Sequence, residues 1–529
     1  MKRNYARAVE LMALRHANKD ALINIERNRR YTYAQLDRLS NRIANALRTS
    51  LELGAGDRIM LILENDNLSI MRLPLMFKHD AVVALTNFRD TAEEHRHQAE
   101  YIRPQAVFIE ASMVEGYAAF LQGLGGKVIV MDSPSPDQLA RFPGLYSFWE
   151  LVDAAPDTSV PLELEEWTSP RLLRFTGGTT GRGKCAIYTL DNNMAGCESI
   201  FLHPDLGFDS STRMLHVSPL SHGTSMFLLP AFWAGGTNVT LNALDLEVFR
   251  QVVEEEAITH SFLVPTVLYR LLELQVAKPR QLGSLKTIVY GAAPMSPARL
   301  SDLIENFGPV FAQAYAATEA PALVSVLQKS DHRIDTPEAR ARLASAGSIT
   351  PGVEVTITNS EGMPLPPGEI GEIRIRSRAV IPGYLDNPEG TAAEFEDGTW
   401  RSGDLGYIDQ GGYLFIVDRL KDMIISGGFN VYAVEVEAAL ATHPAVLNAA
   451  VVGVPHLDWG EAVHAEVQLR NQMACTAEEL IAHVRGTIGG YKTPKTISFV
   501  DELPVTVVGK VLRRQVREKY WKAHDRRVN

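Results

Sequence analysis

The chain has 529 residues, of which 46 % are hydrophobic and 22 % are charged, and its formal net charge is −11. This length exceeds what one hydrophobic core usually supports, so at least two folding units are expected. The negative charge argues against general binding to nucleic acids or anionic membranes, because such proteins need a positive field to meet phosphates.

The cysteines and the N-terminus both favour a cytoplasmic location. Cys185, Cys197 and Cys475 form no Cys-x-x-Cys pair and no even-numbered framework, which is typical of a reducing compartment. The N-terminal residues are mixed and charged, without the apolar core of a signal peptide, and no apolar run approaches the ~20 residues of a membrane span. We therefore expect a cytoplasmic protein, and no feature of the sequence indicates an oligomeric state.

The first part of the chain alternates helix and strand signals. Thr32 with Gln35, and Thr91 with Glu94, form capping-box pairs that predict the starts of two helices. After the first pair, apolar residues recur at helical spacing at Leu36, Leu39, Ile43 and Leu47. Strand-like runs occur at 59–63, 81–85, 106–109 and 127–131. Such alternation is typical of parallel sheets covered by helices.

A loop rich in glycine and threonine follows at residues 175–184. Its sequence, Phe-Thr-Gly-Gly-Thr-Thr-Gly-Arg-Gly-Lys, contains four glycines, three threonines and one lysine. Glycines let the backbone approach an anion and turn its N–H groups toward it, and hydroxyls and an ammonium supply further donors. The loop predicts a phosphate-binding site, and hence a nucleotide ligand.

Two other interpretations of this loop are open. A Walker A loop has the same spacing of glycines and lysine, but it requires Ser or Thr after the lysine, where this chain has Cys185. It must also begin a helix, whereas residues 186–189 have the aromatic and β-branched bias of a strand. Both required features fail, which disfavours the Walker interpretation. A purely structural Gly/Thr loop is the second alternative.

Downstream segments predict a change of architecture. Strand-like runs at 260–264 and 287–290 end at turns, which is where open α/β sheets bind ligands. Residues 352–383 instead contain short alternating strands, 353–357 and 372–375, separated by turns rich in Pro and Gly. This pattern is typical of a small β subdomain.

The predicted domain boundary lies at residues 418–422. It divides the chain into an N-terminal domain, 1–418, and a C-terminal domain, 419–529. The latter has the pattern of a compact α+β domain, with a helix at 432–440, a strand at 449–452 and a helix capped by Thr476 and Glu479. The predicted fold class is therefore α/β: a large N-terminal domain of α/β subdomains with a small β subdomain, followed by a small, mobile α+β domain.

Six groups of residues, in order, resemble the signature segments of the adenylate-forming enzymes, which include acyl-CoA synthetases, luciferases and the adenylation domains of peptide synthetases. The family loop reads Thr-Ser-Gly-Thr-Thr-Gly-x-Pro-Lys-Gly, and this chain departs from it at Gly177, Gly183 and Cys185. It keeps Thr176, Gly178, Thr179, Thr180, Gly181 and Lys184. The other matching segments are 290–294, 313–319 (with Ala316 in place of the usual Gly), 400–406, 418–430, and Pro504 with Gly509, Lys510 and Arg513.

The resemblance implies a binding role for each matched residue, with ATP, Mg²⁺ and coenzyme A as the ligands. The glycine–threonine loop and Lys184 would hold the β- and γ-phosphates of ATP, Thr318 would donate to phosphate, and Glu319 would bind Mg²⁺. The residues implied in nucleoside binding are Gly291, Ala292, Ala293 and Tyr315 around adenine, and Asp404 and Arg419 at the ribose.

It also implies catalytic and mobile residues. Attack of a carboxylate on the α-phosphate brings two anions together, so positive charge is needed at the reacting centre, and Lys510 is the family's candidate. A rotation about the hinge residue Lys421 would withdraw Lys510 and bring Gly427 and Gly428 to the pantetheine tunnel. His222 would line the acyl pocket, beside the apolar stretches 226–229 and 232–233.

The expected function is an ATP-dependent ligase that joins an apolar monocarboxylic acid, fatty or aromatic, to coenzyme A. Four alternatives are open: an enzyme that loads a carrier protein, a non-catalytic nucleotide-binding protein, a Walker-type hydrolase, and a luciferase-like oxidase. Apolar discrimination contributes only about 0.8 kcal/mol per methylene, so the pocket residues do not identify the acid.

Overall fold

The computed structural model describes residues 2–3, 5–142, 144–160, 165–176, 183–470, 473–506 and 511–521. Within these residues the chain forms three large β-sheets flanked by helices, and one short strand pair between Lys2–Arg3 and Glu165–Glu166. Two of the large sheets belong to the first 419 residues and the third to the remainder. The architecture is α/β, with a large N-terminal part and a small C-terminal part, as predicted.

The N-terminal sheet has seven strands and contains the predicted strands of the first part of the chain. Its strands, in spatial order, are Cys185–Thr189, Pro170–Phe175, Val82–Leu85, Arg58–Ile62, Ala106–Glu110, Lys127–Met131 and Leu145–Ser147. All neighbours are parallel except the first two, which form an antiparallel pair. That pair carries the glycine–threonine loop at one end.

The central sheet changes from parallel to antiparallel along its length. Its main path is Glu354–Thr358, Gly371–Arg376, Thr399–Ile408, Tyr413–Arg419, Gly347–Ile349, Ser325–Leu327, Phe311–Tyr315, Thr287–Gly291, His260–Leu263, Arg213–His216, Thr237–Thr240, Asp20–Asn24 and Arg29–Thr32, with Phe395–Glu396 paired beside it. The strands from Phe311–Tyr315 to Asp20–Asn24 run parallel, and pairing is antiparallel on either side. The strands of the predicted β subdomain are therefore continuous with the parallel strands.

Helices cover both sheets, and local sequence explains where they begin. Both predicted capping boxes are formed, at Thr32 and at Thr91, and the four apolar residues of the first helix are buried. Burial of one such side chain contributes about 1.5–3 kcal/mol. The α-helices are Tyr5–Arg15, Tyr33–Thr49, Asn65–Leu73, Ala92–Ile102, Ala118–Gln122, Pro136–Arg141, Phe148–Ala154, Leu190–Phe201, Leu228–Trp233, Leu246–Glu255, Pro265–Ala277, Pro297–Phe307, Pro337–Arg342 and Pro388–Glu394. Shorter 3₁₀ and π turns occur at Pro74–Lys78, Ala111–Met113, Glu115–Tyr117, Pro204–Leu206, Gly223–Phe227 and Lys329–Asp331.

The C-terminal part has its own sheet and core. Its strands are Phe429–Val431, Ile424–Ser426, Gly460–Leu469 and Val446–His456 in spatial order, with Thr496–Phe499 paired to Gly460–Leu469. Its helices are Ala433–Ala441, Ala477–Ile488 and Arg513–Trp521, and the predicted cap at Thr476 and Glu479 is formed. The predicted boundary falls between the end of a central-sheet strand at Arg419 and the first strand of this sheet at Ile424, and it stays a prediction.

In the part of the chain that the structure describes, no helix is both long and apolar enough to cross a membrane.

Candidate active site

The two ends of the glycine–threonine loop face each other across the antiparallel strand pair. The Thr176 N–H donates to the Lys184 carbonyl oxygen at 2.8 Å, and a Cβ at Gly183 would clash with the Thr176 carbonyl oxygen. Gly178, Thr179, Thr180 and Gly181 lie outside the described residues. A strand, Cys185–Thr189, follows the loop, where a Walker A loop would begin a helix.

Lys184 and Glu319 meet in a hydrogen-bonded group that we call the cradle cluster: Lys184, Glu319, Tyr384 and Glu394. The Lys184 ammonium forms an ion pair with Glu394 and lies 4.8 Å from the centroid of the Tyr384 ring. The Tyr384 hydroxyl lies 3.0 Å from Glu319 Oε1 and 2.5 Å from Glu394 Oε2. The cluster thus joins the base of the loop to the segment after the strand Phe311–Tyr315.

The electrostatics of the cradle cluster fit a divalent cation. Burial raises the pKa of Glu319, and the neighbouring Glu394 carboxylate adds to this effect. A bound cation would stabilise the ionised form, and carboxylate oxygens are ligands that Mg²⁺ prefers. The described residues contain no group of three or more His, Cys, Asp or Glu side chains that could hold a metal, so Mg²⁺ bound at Glu319 would also need phosphate or water ligands.

Thr318 lies beside Glu319 and is tied to the neighbouring sheet. Its hydroxyl hydrogen-bonds with that of Tyr188, in the strand Cys185–Thr189. The backbone at Glu319 is also fixed, because its carbonyl oxygen accepts from the Ile381 N–H at 3.0 Å. Thr318 and Glu319 are therefore held from both sides, as a phosphate-binding segment would require.

Asp404, Arg419 and Tyr315 form a second polar group. Asp404 and Arg419 are register partners in neighbouring strands, and the Arg419 Nε lies 3.1 Å from Asp404 Oδ1. The Tyr315 hydroxyl donates to Asp404 Oδ2 at 2.7 Å. Burial opposes the charge on Arg419, but Asp404 together with the other acidic groups around it raises the pKa of the guanidinium. The structure therefore brings together three of the residues predicted to bind the nucleoside.

The predicted adenine turn begins at the end of the strand Thr287–Gly291. A Cβ at Gly291 would clash with the Ala314 carbonyl oxygen in the adjacent parallel strand, so a glycine is required there. Ala292 is exposed and has φ +64°, a conformation that non-glycine residues rarely adopt. Ala293, the next residue, is partly exposed. Such strain commonly accompanies functional turns, and this turn lies at the carboxyl edge of the parallel strands.

His222 is partly buried and lies near two cations, Arg174 and Arg89. The Ser221 hydroxyl is 3.0 Å from His222 Nδ1, and burial together with the nearby cations Arg174 and Arg89 lowers the pKa of His222 to about 4. The imidazole is therefore neutral at physiological pH. In the apolar stretch beside it, Phe227, Leu228, Leu229 and Phe232 are buried in the core.

The residues predicted to form the hinge and to contact pantetheine follow the Asp404–Arg419 pair in the chain. Lys421 is exposed, and partial desolvation together with the Arg419 cation lowers its pKa. Gly427 and Gly428, with φ +59° and +84°, form the two-residue turn between Ile424–Ser426 and Phe429–Val431. Both φ values suit a type I′ hairpin turn, which by itself calls for glycine. The contacts of the described residues do not join these glycines to the cradle cluster.

Lys510 lies outside the described residues, but Arg513 shows how the following helix is held. The Arg513 guanidinium lies 3.7 Å from Asp418 and 3.8 Å from Asp422, and it also forms an ion pair with Glu437. These carboxylates raise the pKa of Arg513 even though burial opposes its charge. The helix Arg513–Trp521 is thus attached to the predicted hinge.

Sequence reasoning missed Tyr384, Glu394 and Arg174. Tyr384 precedes the helix Pro388–Glu394, and Glu394 is its last residue. Nothing in their local sequence indicates that they meet Lys184 and Glu319. Arg174 did carry a signal, because it is a charged residue in the otherwise apolar run 172–175, directly before the loop.

Two family models match the chain. Residues 9–385 match the model for AMP-binding enzymes, and residues 435–510 match the model for the C-terminal domain of AMP-binding enzymes. The chain belongs to the AMP-binding enzyme family. The resemblance to adenylate-forming enzymes stated from its motifs is thereby confirmed.

Individual relatives agree with this assignment. The chain is 39 % identical over 363 residues to a medium/long-chain-fatty-acid–CoA ligase of Mycobacterium tuberculosis, a match that covers 67 % of this chain and 62 % of that protein, less than two thirds of its length. It is 35 % identical over 493 residues to a feruloyl-CoA synthase of Amycolatopsis, covering 92 % and 94 %. The crystal structure of ATP-bound MatB from Rhodopseudomonas palustris superposes with a TM-score of 0.86 at 26 % identity, covering 99 % of this chain and 100 % of that one.

Proposed function

We propose that this AMP-binding enzyme is an acid–CoA ligase. It activates an apolar monocarboxylic acid, fatty or aromatic, as the acyl-adenylate with release of pyrophosphate, and then transfers the acyl group to coenzyme A with release of AMP. The observation that carries the proposal is the cradle cluster, in which Lys184 from the loop and Glu319 share contacts through Tyr384 and Glu394.

In the first half-reaction the chain must hold a triphosphate and neutralise its charge. Lys184 exchanges its Glu394 partner for phosphate oxygens, and Thr318 donates a hydrogen bond beside them. Glu319 would hold Mg²⁺, which would neutralise phosphate charge and act as a Lewis acid at the reacting centre. Lys510 is assigned to the point where the substrate carboxylate approaches the α-phosphate.

In the second half-reaction a thiol attacks the carbonyl carbon of the mixed anhydride, and AMP leaves. The domain that begins at residue 419 turns about Lys421, which withdraws Lys510 and presents the turn at Gly427 and Gly428 to the pantetheine arm. Arg513 supports this scheme because it ties the helix after Lys510 to Asp418 and Asp422 at the hinge itself. Movement of the hinge would therefore be transmitted to the segment that carries Lys510.

The names of the relatives support an apolar acid. One is called a medium/long-chain-fatty-acid–CoA ligase and the other a feruloyl-CoA synthase, so one name denotes an aliphatic acid and the other an aromatic one. His222 and the apolar residues after it are assigned to the acyl pocket. Each methylene contributes about 0.8 kcal/mol, or about fourfold in affinity, so an acid panel must decide between chain lengths.

The test is ATP–pyrophosphate exchange with straight-chain acids of increasing length, benzoate and ferulate, followed by product analysis with coenzyme A or a carrier protein. We expect acid-dependent exchange, and AMP, pyrophosphate and acyl-CoA as products. ADP and phosphate formed without any acid would indicate a hydrolase and overturn the proposal. A thioester formed only on a carrier protein would show that the acyl acceptor is the carrier protein and not coenzyme A.

A further inference from the structure

Arg174 is a partly buried cation without a carboxylate partner among the residues that the structure describes. Its guanidinium donates to the Ser225 hydroxyl at 2.5 Å and lies 5.4 Å from the centroid of the Tyr188 ring. Its Nε is buried and has no hydrogen-bond acceptor in the described structure. Burial lowers the pKa of Arg174, as expected for a cation without a counter-charge.

A second cation, Arg72, lies within electrostatic range of Arg174. Arg72, in the helix Asn65–Leu73, is 5 % exposed, and its Nε also lacks an acceptor within the described residues. Burial and the charge of Arg174 lower the pKa of Arg72 to about 9. Burying a charge without an opposite one costs several kcal/mol. Two cations that act on each other in this way, with no carboxylate partner among the described residues, favour the binding of an anion.

Arg174 contacts the side chains that hold two residues assigned to the reaction, Thr318 and His222. On one side it interacts with Tyr188, whose hydroxyl hydrogen-bonds with Thr318. On the other it holds Ser225, whose hydroxyl donates to the His222 carbonyl oxygen at 2.8 Å. Arg174 therefore links the phosphate-binding segment to the turn that carries the acyl-pocket histidine.

We propose that Arg174 is a positioning residue for the adenylation step: it fixes Thr318 through Tyr188 and the His222 turn through Ser225, and its unneutralised charge favours the approach of the two anionic reactants. The proposal rests on the proposed function, because only an adenylating enzyme brings a carboxylate against a phosphate here. Thioester formation from a finished acyl-adenylate does not involve this encounter and should depend on Arg174 much less.

The test compares Arg174→Met and Arg174→Lys with the wild type and with Arg171→Met. Arg171 is a buried arginine on the same strand and controls for loss of a guanidinium from the fold. Outer-shell partners of reactive groups typically contribute about 10- to 100-fold. For Arg174→Met we expect pyrophosphate exchange to slow by about that factor with a higher KM for the acid, while conversion of supplied acyl-adenylate and coenzyme A to acyl-CoA changes by about twofold at most.

The conservative variant separates charge from packing. Arg174→Lys keeps the positive charge, so it should recover at least half of the loss in exchange rate, measured on a logarithmic scale. Arg171→Met should lower thermal stability without changing the KM for the acid. Equal losses in the Lys and Met variants, or unchanged exchange kinetics in Arg174→Met, would overturn the proposal. If Arg174→Met does not fold, Tyr188→Phe combined with Ser225→Ala removes both links while keeping the cation. This double variant must still slow exchange selectively, although by less than the factor expected for Arg174→Met. Absence of acid-dependent exchange in the wild type would instead reject the proposed function.

Discussion

The cradle cluster and the Arg174 region, by which we mean Arg72 and Arg174, differ in how their charges are compensated. In the cradle cluster the Lys184 ammonium is paired with Glu394, and Glu319 is hydrogen-bonded by Tyr384. In the Arg174 region, two guanidinium groups have no carboxylate partner among the described residues. A ligand must therefore displace protein partners at the first place, whereas the second already has uncompensated charge. Variants of the two regions should differ in sign as well as in size.

The largest effect is expected when Glu319, the carboxylate proposed to bind Mg²⁺, is neutralised. Glu319→Gln keeps the volume and can still accept from Tyr384, but it loses the charge that would hold Mg²⁺. Lewis-acid stabilisation is worth several kcal/mol, so kcat/KM for pyrophosphate exchange should fall by about 100-fold. Exchange measured across a Mg²⁺ titration checks this, and an unchanged Mg²⁺ dependence would contradict the assignment.

A smaller loss is expected at the second polar group. Asp404→Asn replaces a charged acceptor that already holds Tyr315 and Arg419. Hydrogen bonds to charged groups contribute about 1 kcal/mol more than neutral ones, so the KM for ATP should rise about fivefold with little change in kcat. Steady-state kinetics at saturating acid measures both values. Tyr315→Phe is the matched control because it keeps the carboxylate. A loss confined to kcat would show that Asp404 does not act in ground-state binding of the nucleotide.

Glu394→Gln should have the opposite sign. The variant removes the ion-pair partner of Lys184, which should then meet phosphate without competition. A partly exposed pair of this kind is worth about 0.5–1 kcal/mol, so ATP should bind about two- to fivefold more tightly. Calorimetric titration with Mg-ATP in the absence of acid measures the effect directly. Weaker binding would mean that Glu394 itself contacts the nucleotide or its metal.

Helix starts and the strand after the glycine–threonine loop were predicted correctly because each depends on residues that are close together in the sequence. The capping boxes at Thr32, Thr91 and Thr476 were readable from residues three positions apart, and each begins a helix in the structure. The strand at Cys185–Thr189 was predicted from β-branched and aromatic residues, and it excludes the Walker interpretation. These features require no knowledge of distant residues.

The partners of the site residues could not be predicted in the same way. Glu394 is 210 residues from Lys184 and 75 residues from Glu319, and Tyr384 meets Glu319 only because the segment after the antiparallel strands returns to the edge of the N-terminal sheet. No periodicity or spacing encodes such a return. Motifs identified residues of the expected site, whereas the pairing that decides the sign of a substitution depends on tertiary structure.

The smallest effect concerns the protonation of His222. It tests whether the cations near this residue lower its pKa. Burial and the cations Arg174 and Arg89 lower its pKa to about 4, while the Ser221 hydroxyl contacts Nδ1. A histidine with a lowered pKa in the folded state contributes stability that is complete above about pH 6.5 and is lost as the pH falls toward 4. At pH 6 about one molecule in a hundred should therefore carry the charged imidazole, against a majority for an ordinary histidine.

Proton–carbon NMR of histidine-labelled protein, with His222→Gln for assignment, measures this titration. In Arg174→Met the midpoint should move upward only in part, because burial is the larger cause and persists. A wild-type midpoint near 6.5 would show that neither burial nor the cations Arg174 and Arg89 act on the imidazole. The contrast between the cradle cluster and the Arg174 region would then lose its electrostatic basis.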